Sequence, residues 1–79
     1  MGDLTTDDLE FLYLLERLLR RGERPTRSKL PLADRKQDRI RQKCSKLGLA
    51  KWRYGYWQLT KSGLDLIRDR RAAKSDPQP

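Results

Sequence analysis

Histidine is absent from this chain of 79 residues, and cysteine occurs once, at Cys44. A lone cysteine excludes an internal disulfide, and one thiolate among scattered carboxylates cannot close a tetrahedral zinc site. Without imidazole, any nucleophile would have to be activated by other means, in a domain too small to enclose a sizeable pocket. The expectation is therefore a protein that is not an enzyme, with no cofactor, no metal and no evident small-molecule ligand. Long apolar runs are also missing. Nothing approaches the roughly 20 residues needed to cross a bilayer, and no signal-peptide pattern opens the chain, so a cytoplasmic protein with no membrane partner is expected.

Apolar residues make up 35% of the chain and charged residues 38%, near the polar limit for a globular domain. A chain this short buries roughly 60% of its unfolded surface, which allows one small core. The apolar residues are nevertheless clustered and periodic, which favours a folded chain over a disordered one. One domain over residues 1–71 is expected, with 72–79 as a disordered tail that lacks an apolar anchor and ends Asp-Pro-Gln-Pro.

The net charge of +8 is unevenly placed. Residues 1–16 carry five acids and no base, a charge of −5; from Arg17 onward nineteen basic residues stand against six acids, a charge of +13. This distribution fits a polyanion-binding surface with the acidic N-terminus facing elsewhere. A solubilising basic surface is the plainer alternative.

Local signals divide the chain into short elements. Thr5 followed by Asp8 forms a capping-box variant, with Leu4 and Leu9 at the positions of a hydrophobic staple. Leu9, Leu12, Leu15 and Leu19, joined by Phe11 and Leu18, then give an apolar face at helical spacing, so a first helix is predicted over 6–21 with Gly22 as its C-cap. A short second helix is predicted from Pro25 or Thr26 to Leu30, stopped by Pro31, and Pro31-Leu32-Ala33 reads as a tight turn with Leu30 and Leu32 against the core. The third helix spans 34–47: Asp34 with Gln37 matches a capping-box pattern, Ile40, Cys44 and Leu47 repeat on one stripe, and Gly48 ends it. Cys44 on that stripe reads as a small buried apolar residue.

A hairpin follows. With Tyr54-Gly55 as its loop, Trp52 faces Trp57 and Arg53 faces Tyr56. Ala50, Trp52, Trp57 and Leu59 then share one face, and Lys51, Arg53, Tyr56 and Gln58 the other. Tyrosine is not the preferred first residue of a two-residue loop, so a longer turn with a different register is the alternative. Thr60 caps a last helix carrying Leu64, Leu66 and Ile67 that frays near Arg71. The fold class is thus mostly α with a small β-hairpin.

The order of three helices, a two-stranded wing and a further helix resembles the winged helix-turn-helix regulators of bacteria, archaea and phages. The residues that carry the resemblance are Leu47-Gly48-Leu49 and Trp57-Gln58-Leu59-Thr60-Lys61-Ser62-Gly63, the latter similar to the x-L-T-x-x-G that closes the wing in many such proteins. It covers roughly residues 6–70. Two features depart from the pattern: the wing is very short, and the strand usual between the first two helices has no clear sequence.

The resemblance implies a DNA-binding protein, a small transcriptional regulator that inserts helix 34–47 in the major groove of double-stranded DNA with the 49–59 hairpin as wing. With Ile40, Cys44 and Leu47 turned inward, Arg35, Asp38, Arg39, Gln42, Ser45 and Lys46 point outward. Arg39 and Gln42 are the base readers by chemistry, matching guanine and adenine edges, and Arg35 suits either a base or a phosphate. Lys36, Arg41, Lys43 and Lys46 would meet phosphates. Asp38 would accept from cytosine or pair with Arg41 or Gln42. On the wing, Lys51, Arg53 and Tyr56 would lie near the backbone or minor groove, with packing as the other role for Tyr56. Trp52 and Trp57 are read as holding the wing to the first helix, with base stacking as the alternative.

Two other readings compete. The domain could be a protein-interaction module docking on a polymerase or another protein, with its acidic start and basic remainder as separate surfaces, or it could bind RNA or single strands through the tryptophans. A homodimer is compatible with each. A DNA-binding chain would be associated with the nucleoid.

Overall fold

The computed structural model describes residues 4–31 and 34–74, the last three of these by backbone only. Its elements are α1 (Thr6–Arg20), a single 3₁₀ turn (Arg27–Lys29), α2 (Arg35–Lys46), β1 (Ala50–Arg53), β2 (Tyr56–Leu59) and α3 (Lys61–Lys74). The chain is therefore an α+β domain of three helices and a two-stranded antiparallel hairpin.

The boundaries follow from local chemistry. At the start of α1 the Thr5 hydroxyl accepts from the Asp8 amide at 3.2 Å, and the Asp8 carboxylate accepts from the Thr5 amide at 2.9 Å. This capping box satisfies two of the four orphan amides a helix start leaves. The helix closes in a Schellman motif: Gly22 donates to the Leu19 carbonyl and Glu23 to that of Leu18. Asp34 caps α2 by accepting from the Gln37 amide at 2.8 Å. At its other end Gly48 has φ +74, and the Leu49 amide turns back to the Cys44 carbonyl at 2.9 Å. The expected second helix is only one 3₁₀ turn, because the chain between Pro25 and Pro31 is too short for a capped α-helix and Thr26 makes no side-chain cap. Leu30 after it is buried as expected; Leu32 and Ala33, and the turn placed on them, lie outside the described residues.

The hairpin pairs Ala50 with Leu59, Lys51 with Gln58, Trp52 with Trp57 and Arg53 with Tyr56. Its loop is Tyr54-Gly55, with φ of 57 and 83 at the two positions. Two positive φ values define a type I′ turn, which matches the twist of the strands. The tyrosine accepts the left-handed conformation here, so no longer loop is needed. Beyond the hairpin, the Trp57 amide donates to the carbonyl of Pro25 at 3.0 Å, so the connector after α1 lies along the free edge of β2.

The core gathers Phe11, Leu12, Leu15 and Leu18 of α1, then Leu30, Ile40, Cys44, Leu49, Ala50, Trp57 and Ile67. Leu12, Leu15 and Ile67 are fully enclosed, each contributing about 1.5–3 kcal/mol through burial. The buried face of α1 centres on Phe11, Leu12, Leu15 and Leu18; Leu9 is half-buried and Leu19 is 39% exposed, so those two sit at its margins. Phe11 meets Trp57 edge to face at 5.5 Å, fixing the hairpin to α1.

Thr60 joins three elements. Its hydroxyl accepts from the Gly63 amide and donates to the Gly48 carbonyl, and its amide donates to the Leu49 carbonyl. Gly63 follows from that junction, since a Cβ there would lie 2.1 Å from the Leu49 carbonyl oxygen. Glu16, buried on α1, receives Arg71 of α3. That contact helps explain why α3 continues to Lys74, past the fray expected near Arg71 and into the segment expected as tail. Residues 75–79 lie outside the described residues.

Candidate nucleic-acid interface

At about 100° per residue, α2 separates into four sides. Ile40 and Cys44 face the core, with Leu47 half-buried beside them. Opposite them, Arg35, Arg39, Gln42 and Lys46 fall four, three and four positions apart and form one stripe, about 16 Å long at 1.5 Å per residue. All four are exposed, and among the described residues Arg35, Arg39 and Lys46 join no ion pair.

The flank toward α1 is neutralised. Lys36 Nζ lies 3.1 Å from Asp7 Oδ2, and Lys43 Nζ donates to Asp8 Oδ2 at 2.7 Å. Asp7 and Asp8 therefore do not face elsewhere; they supply counter-charge to the side of α2. Burial pushes the Asp8 carboxyl up, but the Lys43 ammonium and the Thr5 amide and hydroxyl overcome that and hold it below its ordinary value. Cys44 beneath is pushed up to about 11 by burial and by the Asp8 carboxylate, which leaves it an inert thiol.

The flank toward the hairpin corrects one expectation. Arg41, expected to point outward to phosphates, is instead 7% exposed and donates from Nη2 to the Pro31 carbonyl at 2.7 Å, so its guanidinium is engaged within the fold. Periodicity puts it off the core stripe; the hairpin and the Pro31 connector cover it from outside the helix. Asp38 makes neither of the pairs expected of it. Together with Ser45 it faces a cleft toward the hairpin.

On the hairpin, Lys51 and Arg53 are exposed, and Tyr56 is half-buried beneath Arg24, whose guanidinium lies 5.4 Å from the ring centre. Arg27 covers Trp52 at 5.5 Å and Arg53 covers Tyr54 at 5.5 Å. The two tryptophans divide their roles. Trp57 is the buried anchor, whereas Trp52, edge-on to it at 5.9 Å, stays 41% exposed. Arg24, Arg27 and Tyr54 are thus exposed beside the hairpin rings without having stood out in the sequence. The two arginines lie in the connector, where no periodicity ties a side chain to a partner.

The structure therefore gathers Arg35, Arg39, Gln42 and Lys46 on one under-neutralised stripe of α2, while Lys51 and Arg53 are exposed on the hairpin face opposite Trp52. It ties Lys36 and Lys43 to carboxylates, and it buries Arg41. Among the described residues no helix is long and apolar enough to cross a membrane, and no three His, Cys, Asp or Glu side chains gather as a metal site. Comparison with protein-family models, curated proteins and solved structures finds no match to this chain.

Proposed function

We propose that this chain is a DNA-binding protein of the winged helix-turn-helix type, working as a small transcriptional regulator, with α2 as the recognition helix and the β1–β2 hairpin as its wing. The observation that carries the reading is the stripe of Arg35, Arg39, Gln42 and Lys46, solvent-facing and without a carboxylate partner among the described residues, while the neighbouring lysines are neutralised. A major groove about 12 Å wide admits such a helix. The bond from Trp57 to Pro25 supports the same reading, since it lays the connector beside β2 where winged helices carry a strand.

In this reading Arg39 and Gln42 meet base edges, with Arg35 beside them. Lys46, Lys51 and Arg53 meet phosphates, which fix register without reading sequence. Lys36 and Lys43 contribute less, because a phosphate there competes with Asp7 and Asp8.

Duplex binding followed by fluorescence anisotropy across a salt series tests the proposal. With three or four phosphates neutralised, log K should fall with log salt at a slope of about −3 to −4. Arg39→Ala should weaken binding to the preferred sequence by about 1–3 kcal/mol, and Lys51→Ala should make the slope shallower by about 1. Salt-independent binding, or none, would count against a DNA role. The exposed Trp52 and Tyr54 favour a protein-docking surface as the second reading, and that reading predicts partner binding sensitive to Tyr54→Ala but not to Arg39→Ala.

A further inference from the structure

Between α2 and the hairpin runs a cleft of about 590 Å³, within the range of about 300–1,000 Å³ typical of ligand sites. From α2 it is lined by Asp38, Gln42, Ser45 and Lys46; from the opposite wall by Trp52 and Arg27. The geometry points to this cleft as a site for a single unpaired base of the bound DNA, stacked on Trp52 and read by Asp38 and Gln42. The inference rests on the DNA-binding reading above and adds a preference for duplexes that carry an unpaired nucleotide.

Four observations support it. First, Trp52 is a large apolar ring left 41% exposed, and a base stacks on it where Arg27 now lies at 5.5 Å, the guanidinium moving to the base's phosphate. Second, Asp38 is a carboxylate on an otherwise basic surface, without an ion pair among the described residues. A carboxylate repels phosphate but accepts from base N–H groups, and an unpaired guanine offers two adjacent donors, N1–H and N2–H. Third, Arg41 forms part of the cleft wall, so the Asp38 carboxylate stands in a positively charged cleft that suits a nucleotide. Fourth, Gln42 and Lys46 belong both to the stripe and to the cleft, so DNA seated on the stripe runs past its mouth.

A paired base cannot use this site, because its faces are covered by its neighbours and its Watson–Crick edge is occupied. An extrahelical base has both available, and unstacking it is least costly where it has no partner. Lys46 and Arg27 then stand on either side for the flanking phosphates.

The test compares a mixed-sequence duplex with the same duplex carrying one extra, unpaired guanine, by anisotropy at fixed salt and by tryptophan fluorescence. The bulged duplex should bind about tenfold tighter and quench the emission, in line with the energy of one base stacked on an aromatic ring. Trp52→Ala should abolish the preference while matched-duplex binding persists. Asp38→Asn, at an exposed helix position that leaves the core intact, should reduce the ratio of the two affinities even if both rise. Equal affinities, or a preference that survives both substitutions, would overturn the cleft assignment and leave the duplex reading standing. Binding to neither DNA would overturn both.

Discussion

Asp8 and Lys43, thirty-five positions apart, meet at 2.7 Å with the carboxylate almost wholly enclosed. The same carboxylate oxygen accepts from the Thr5 amide, so one side chain caps α1 and fastens it to α2. With Asp7, which meets Lys36, Asp8 supplies counter-charge to one flank of α2, and the opposite side keeps its positive charge.

Replacing Asp8 with Asn should therefore destabilise the domain by about 2 kcal/mol, combining a lost cap with a lost charge-assisted bond. For a chain of this length that lowers Tm by about 10 °C. The pH dependence has a definite sign. A carboxyl whose folded pKa is depressed adds stability above its unfolded value, and this is lost as pH falls through the folded one. Thermal melts from pH 7 down to pH 2 should show a shallower acid limb in Asp8→Asn than in the parent.

Gly63→Ala should be the most damaging small change. Its Cβ would sit 2.1 Å from a backbone oxygen that cannot rotate away, so α3 must shift off Leu49. Overpacking of this kind costs about 3 kcal/mol, a large share of the few kcal/mol available to a small domain. Gly22→Ala, where nothing lies within 4 Å but φ is +77, should cost only about 1 kcal/mol. Circular-dichroism melts of the two variants would separate steric from conformational cost.

Tyr54→Asn should stabilise the hairpin. Tyrosine at φ 57 is strained, asparagine tolerates that region, and little burial is lost because Tyr54 is 79% exposed. A gain of about 0.5 kcal/mol, or about 3 °C in Tm, is expected after the loss of the Arg53 stack. A fall in Tm would mean that the stack outweighs the strain.

Cys44 should resist thiol reagents. With its pKa pushed up to about 11, only about one molecule in a thousand carries a thiolate at pH 8, and the side chain is fully buried. A chromogenic disulfide reagent should react slowly with the folded protein and promptly after denaturation. Prompt reaction of the folded chain would mean that α2 opens readily from α1.

What could be read from the residues was local. Thr5 with Asp8, Thr60 as a cap and the Trp52–Trp57 register each depend on spacings of a few residues, and each is present in the structure; of the Asp34–Gln37 capping box, the bond to the Gln37 amide forms and the return bond does not among the described residues. What escaped depends on how elements cross. Arg41 is covered by segments distant in sequence, Lys36 and Lys43 meet acids on another helix, and Arg27 reaches Trp52 from an irregular connector. The Trp57–Pro25 bond uses only backbone atoms, so no side chain announces it. The second helix is shorter than its signals suggest, because two prolines and a threonine fit a 3₁₀ turn as well.

The most direct test of the central claim is an amide NMR titration with a mixed-sequence duplex at near-physiological salt. The account predicts shifts at Arg35, Arg39, Gln42 and Lys46 and along Lys51–Trp57, with the outer faces of α1 and α3 silent and the changes reversed by added salt. Shifts centred on α1 or α3, or none at concentrations where the complex should form, would contradict it.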